Sequence, residues 1–191
     1  MRKLQDFSEE EIKYMLKQAR KVIEEQITEM SVPEDSPKKL LENGASFVSI
    51  HKLGELRGCI GNLEAEEPLI LNIMKNAFNA AFNDPRFFEL DEEEMSEIDI
   101  EISILTKPHN LEYSNSEDLL NKLNAPEDGV VLEKEGRSAT FLPSVWEHFK
   151  VDDDYNKIGF LTELCIKAGL MPDDWKDAKI SIYHTILITE K

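Results

Sequence analysis

IDIEISILT, residues 98–106, narrows the folds open to this chain more than any other stretch. Ile98, Ile100, Ile102 and Ile104 recur at every second position, with Asp99, Glu101, Ser103 and Leu105 between them. Successive side chains of an extended backbone point to opposite faces, so the pattern predicts a strand with one all-isoleucine face. Other segments have strand character too. ASFVSIHK (45–52) is rich in strand formers, KLGE supplies a turn at Gly54, and ELRGCIG returns as the second arm of a hairpin. GVVLEKEGRSATFLP (129–143) predicts a second hairpin turning at Glu135 and Gly136, and KISIYHTILIT (179–189) predicts a closing strand.

Helical periods lie between the strands. Ser8 and Glu11 have the spacing of a capping box, in which each satisfies the other's backbone N–H. Behind them Ile12, Met15, Leu16, Ala19, Val22, Ile23 and Ile27 form one apolar stripe, predicting a helix to about residue 29. Pro33 and Pro37 then mark a loop. Pro68 opens a second helix with Ile70, Ile73, Met74, Ala77, Phe78, Ala81 and Phe82 on its face. Pro85 forces Asp84 out of helical geometry and ends it. Residues 116–123 read as a short helix. Residues 156–168 read as another, with Ile158, Leu161, Leu164, Cys165 and Ala168 on one side and Gly169 as its cap. Helices and hairpins mixed without regular βαβ alternation predict an α+β fold, a mainly antiparallel sheet flanked by helices. At 191 residues the chain is expected to form one domain spanning residues 1–191, or one domain with a smaller lobe.

Charge excludes some function classes. Basic residues number 22 and acidic residues 39, a net charge of −17. Such a field repels phosphate backbones and anionic lipid, so general nucleic-acid or membrane-surface binding is not expected, though a local basic pocket can still take one small anion. ELDEEEMSEIDIE (89–101) concentrates the acidity and reads as a solvated face or helix start. No apolar run approaches the roughly 20 residues of a membrane span. MRKLQDF leads straight into polar helix without an apolar leader, and Cys59 and Cys165 form no C-x-x-C pair. A reducing, cytoplasmic setting fits.

Chemistry concentrates in GELRGCIGNLE (54–64). Its glycine spacing is neither a dinucleotide fingerprint nor a P-loop, so no nucleotide cofactor is expected. Gly58 and Gly61 inside a strand imply a bulge, or the close approach of another segment or a ligand. Arg57 and Cys59, two residues apart, are expected on one face, where a guanidinium would favour thiolate over thiol. The competing reading of Cys59 is a small buried hydrophobe. Arg86, in the rigid turn Asp84-Pro85-Arg86-Phe87, can pair with Asp84 or the acidic block, or bind an anion. Glu101 is either surface or a covered carboxylate that Arg57 or Arg86 would partner. His51, His109, His148 and His184 are isolated, so no metal site is expected; His148 is the first choice among them for a functional role.

GELRGCIG, AFNAAFNDPRF (77–87), IEISIL (100–105), GVVL (129–132), TFLPSVW (140–146) and LCIKAGL (164–170) stand in the order seen in the AMMECR domain family, which this chain resembles from about Gly44 to Trp175. Archaeal and bacterial members are called AmmeMemoRadiSam system protein A. The resemblance implies larger and smaller lobes around antiparallel sheets with a cleft where they meet. It also implies association with Memo-like and radical-SAM proteins in a modification pathway. Leu56 to Gly61 match the hallmark L-R-G-C-I-G, and Asp84 to Phe87 a second signature. Ser144 departs from the longer polar side chain expected after Leu-Pro. Two readings follow. In one, a small anionic ligand docks between Arg57 and Arg86, with Gly58, Gly61 and Glu101 around it and Cys59 as nucleophile or redox thiol. In the other, the chain is a noncatalytic module that binds protein partners of the same pathway.

Overall fold

The structure, a computed structural model, describes residues 7–190. The opening MRKLQDF therefore lies outside the described residues except for Phe7, which joins the core. In chain order the elements are α1 (Glu9–Glu24), β1 (Ala45–Lys52), β2 (Glu55–Gly61), α2 (Leu69–Phe82) and β3 (Ile98–Leu105). Then come β4 (His109–Asn110), α3 (Ser116–Lys122), β5 (Gly129–Lys134), β6 (Arg137–Phe141), β7 (Lys150–Val151) and β8 (Asp154–Tyr155). The last are α4 (Lys157–Lys167), β9 (Lys179–Tyr183) and β10 (Thr185–Thr189). This is the expected α+β class, and every strand pairing with a recorded register is antiparallel. The chain forms two compact units, one running as far as Thr106 and resuming at Ile186, the other Lys107–Thr185.

The first unit carries a sheet of order β10-β3-β1-β2. Its apolar face holds Val48, Ile50, Ile100, Ile102 and Ile104, all buried in one core with Met15, Ala19, Val22 and Ile23 of α1 and Ile70, Ile73 and Ala77 of α2. The isoleucine alternation thus does what period-two patterning requires, turning one whole face of β3 toward the helices. The β1–β2 turn places both Leu53 (φ 51°) and Gly54 (φ 86°) in the left-handed region, as a primed two-residue hairpin turn demands.

The capping box at the start of α1 forms: Ser8 Oγ accepts from Glu11 N at 3.2 Å, and Ser8 N donates to Glu11 Oε2 at 2.8 Å. Ser8→Ala should lower stability by about 1 kcal/mol. The loss would show as a lower urea midpoint at unchanged slope, whereas an unmoved midpoint would mean the box contributes nothing. The helix ends at Glu24 rather than near residue 29. Gln26 turns left-handed (φ 48°), and the N–H groups of Gln26 and Ile27 fold back onto Ile23 O and Val22 O. Ile27 still packs on the core, so the apolar period outlasts the helix, and no glycine marks the stop.

The second unit has a sheet of order β4-β9-β5-β6. Val130, Leu132, Ile180 and Ile182 pack in its core with Leu119 of α3, Leu161, Leu164 and Cys165 of α4, and Trp146. Trp146 lies flat on Phe160 with ring centroids 3.5 Å apart, and its indole N–H donates to Asp128 O at 2.7 Å. Ile158, expected on the buried side of α4, is exposed; Phe160 turns inward instead. The single closing strand expected over 179–189 is two. β9 belongs to the second unit's sheet and β10 to the first's, with His184 between them. Ile180, Ile182, Ile186 and Ile188 keep the same parity across the break, which is why the sequence reads as one strand.

Candidate functional site

β2 is an edge strand, and the turn after α2 lies along its open side. Cys59 N donates to Asp84 Oδ2 at 2.8 Å, and Arg86 Nη2 donates to Cys59 O at 2.9 Å. The outward backbone groups of Cys59 are thereby satisfied by side chains rather than by a further strand, which also blunts an edge open to mispairing. Asp84 and Arg86 lock each other. Asp84 Oδ1 accepts from Arg86 Nε at 2.9 Å and Arg86 N at 3.1 Å, and Oδ2 accepts from Arg86 Nη2 at 2.7 Å. The Asp84 side chain is only 2% exposed. Arg86 above all, with the N–H groups of Cys59 and Arg86, holds its carboxyl down at about 2 against the opposing effect of burial.

Cys59 is half-buried and stands directly opposite Ser49 on β1, which donates from Oγ to Cys59 Sγ at 3.2 Å. Ser49 in turn stands opposite Glu101 on β3. Cys59, Ser49 and Glu101 therefore form a row across three strands, on the face turned away from the isoleucines. Glu101 is half-buried in that row. The two arginines expected to partner it bind Glu94 and Asp84 instead.

Arg57 differs from expectation in its neighbours. The β1–β2 register slips between Ile50 and His51, which pair with Gly58 and Leu56, so Arg57 is the extra residue of a β-bulge. Its Nε and Nη2 bind the carboxylate of Glu94 at 3.0 and 2.9 Å, while Nη1 and Nη2 reach Phe88 O at 2.9 Å and Glu89 O at 3.1 Å. The guanidinium beside Cys59 is that of Arg86. Its pKa is raised first by its hydrogen bonds to Asp84, which outweigh burial, and the Cys59 thiol adds to the shift. Arg57, with Lys52 adding, holds the Glu94 carboxyl at about 2, again against burial.

The glycines of the motif serve close packing. A Cβ on Gly58 would stand 2.1 Å from the backbone oxygen of Ala80 in α2, and one on Gly61 would stand 2.3 Å from the ring of Phe47. Beyond Gly61 lies a polar network that sequence reasoning missed. Ser46 Oγ donates to Asn72 Oδ1 at 2.8 Å, while Asn72 and Asn76 both donate to Asn62 Oδ1, at 2.7 and 3.1 Å. Asn72 and Asn76, one helical turn apart and both buried in a mainly apolar helix, were the available signal. Ser49 and Glu94 were also missed; nothing in the local pattern sets either apart.

His148 is exposed on the turn at 143–149 in the second unit, and His184 Nε2 lies 3.1 Å from Asp128 Oδ1. Among the described residues no three His, Cys, Asp or Glu side chains converge to hold a metal ion. No helix among them is long and apolar enough to cross a membrane.

Comparison with known proteins places these residues in a family. Protein MK0488 of Methanopyrus kandleri is 36% identical over 179 residues, 91% of this chain and 84% of that protein. Protein SSO0193 of Saccharolobus solfataricus is 35% identical over 98% of this chain and 85% of its own length. The crystal structure of the uncharacterized protein PH0010 from Pyrococcus horikoshii superposes with a TM-score of 0.85 at 32% identity, covering 95% of this chain and 92% of that one. The AMMECR1 family model matches residues 16–187, which takes in the bulged β2 strand, the Asp84–Arg86 turn and every strand but the end of β10. The chain belongs to the AMMECR1 family.

Proposed function

We propose that Cys59 is the working group of a small-ligand or catalytic site on the face of the first unit's sheet turned away from the isoleucines, and that the protein serves a modification pathway with Memo-like and radical-SAM proteins. The observation that supports this best is the three-point hold on Cys59: its N–H on Asp84, its carbonyl on Arg86 and its sulfur on the Ser49 hydroxyl. A residue at this edge needs the two backbone bonds whatever its side chain, but a cysteine that only fills volume needs no hydroxyl on its sulfur. The Ser49 hydroxyl on the sulfur, with the Arg86 guanidinium beside it, can stabilise negative charge that develops during reaction, at no cost of reorganisation.

In this reading Cys59 is nucleophile or redox thiol, Arg86 contacts the ligand, and Glu101 closes the far end of the row. Arg57 is a positioning residue, since its donors are committed to Glu94 and the 88–89 backbone. An anionic ligand would then meet Arg86 alone. That side chain is 55% exposed, but its charge is already matched by Asp84, so attraction at range is weak and short hydrogen bonds do the selecting.

Alkylation of the native protein by iodoacetamide, followed by mass spectrometry, tests the reading. Cys59 should react about tenfold faster than glutathione at neutral pH. Arg86→Gln should slow it several-fold. Cys165 is fully buried, and burial pushes its thiol pKa up, so it should stay unlabelled until the protein unfolds. If Cys59 reacts no faster than glutathione, or only on unfolding, the reactive-thiol reading is wrong.

A further inference from the structure

We infer that the corner built by the β1–β2 turn and the loop at 86–94 is a docking surface for a protein partner that presents an apolar pocket rimmed by lysine and arginine. The corner is organised around one carboxylate. Glu94 Oε1 accepts from Lys52 Nζ at 3.1 Å and Arg57 Nε at 3.0 Å; Oε2 accepts from Arg57 Nη2 at 2.9 Å and Asp91 N at 3.0 Å. Two chain neighbours of these groups are exposed apolar side chains, Leu53 beside Lys52 at 81% and Leu56 beside Arg57 at 43%, and Phe88, tied to Arg57 through its carbonyl, is 93% exposed.

Phe88 is displayed rather than loose. Arg57 Nη1 holds its carbonyl at 2.9 Å, Phe87 N donates to Asp84 O at 3.1 Å, and Leu90 N donates to Ala81 O at 2.9 Å, with the Leu90 side chain buried. An aromatic side chain in water on a fixed backbone has the character of a binding anchor, because little freedom is left to lose on association. Exposed large apolar groups held together mark interaction sites more than scattered ones do.

Charge decides the occupant. Glu55, Glu89, Asp91, Glu92 and Glu93 lie along the corner and are exposed, while the basic groups present, Lys52, Arg57 and Arg86, are already paired. A partner must therefore bring positive charge around whatever receives Phe88. A second copy of a chain with net charge −17 would bring more of the same sign. This surface does not depend on any chemistry at Cys59.

The test uses the full chain, isotope-labelled for amide spectra, and a synthetic amphipathic peptide of leucine and lysine as probe. Shift changes should concentrate at residues 52–57 and 86–94. Phe88→Ala should weaken binding about tenfold. Leu56→Ser should weaken it in the same direction, and Glu92→Gln with Glu93→Gln should weaken it most at low salt. Thermal melts of these surface variants should match the wild type. The inference is overturned if the peptide fails to bind, or if shifts spread over the acidic surface with Phe88→Ala unaffected. Equal binding of a leucine–serine peptide would also overturn it. So would sedimentation showing a dimer that Phe88→Ala abolishes, since the occupant would then be a second copy.

Discussion

Gly58→Ala is expected to destabilise the protein by about 3 kcal/mol, at the upper end of overpacking costs. The added methyl would stand 2.1 Å from Ala80 O and 3.1 Å from Ala80 C. Both are backbone atoms in the last turn of α2, so no side chain can rotate aside. Either β2 moves off the helix or the helix moves off the core. Separation would also draw Cys59 away from Asp84, because the carboxylate follows directly on the end of α2. The same variant should therefore change the alkylation rate of Cys59. Gly54→Ala is the control: its φ of 86° makes alanine strained, but nothing lies within 4 Å. That change should cost about 1 kcal/mol. Urea unfolding of both variants settles the matter; a Gly58→Ala loss no larger than the Gly54→Ala loss would show that β2 and α2 separate freely.

Asp84→Ala should cost about 3 kcal/mol, the lower end for removing one member of a buried pair, because Arg86 can turn to water while Cys59 N–H cannot. The pair also sets a pH signature. Asp84 titrates at about 2 in the folded protein, below its ordinary 3.8, so the unfolded chain binds the proton more readily. Stability from this group is complete above the unfolded value and is lost as pH falls from about 4 through about 2, worth about 2 kcal/mol in all. Glu94, also held at about 2, works in the same direction and window. Asp84→Asn should flatten the acid limb of the stability profile while leaving its neutral plateau lower. An acid limb as steep as that of the wild type would mean that Asp84 is not the group responsible.

These two positions also show what the AMMECR1 signatures do together. L-R-G-C-I-G supplies a glycine that lets α2 approach and a cysteine whose outward backbone groups need partners. Asp84 and Arg86 are those partners, brought there because Pro85 prevents α2 from continuing. The second signature therefore completes the edge of the strand that carries the first.

Period and punctuation alone settled the α+β class, both hairpins with their turns, the capping box of α1 and the isoleucine face of β3. Each depends on residues within one or two turns of each other, where local sterics and burial of one face leave few choices. The family resemblance grouped Arg57, Gly58, Cys59, Gly61, Arg86 and Glu101 in one reading, but did not supply their partners. Arg57 looked like the neighbour of Cys59 until the bulge put its guanidinium on Glu94, 37 residues away, and gave Cys59 to Arg86, 27 residues away. The end of α1 and the break at His184 were hidden for a similar reason, since the apolar period runs on past both. Charge pairing and strand register are decided by which segments the core brings together, and only the tertiary structure contains that information.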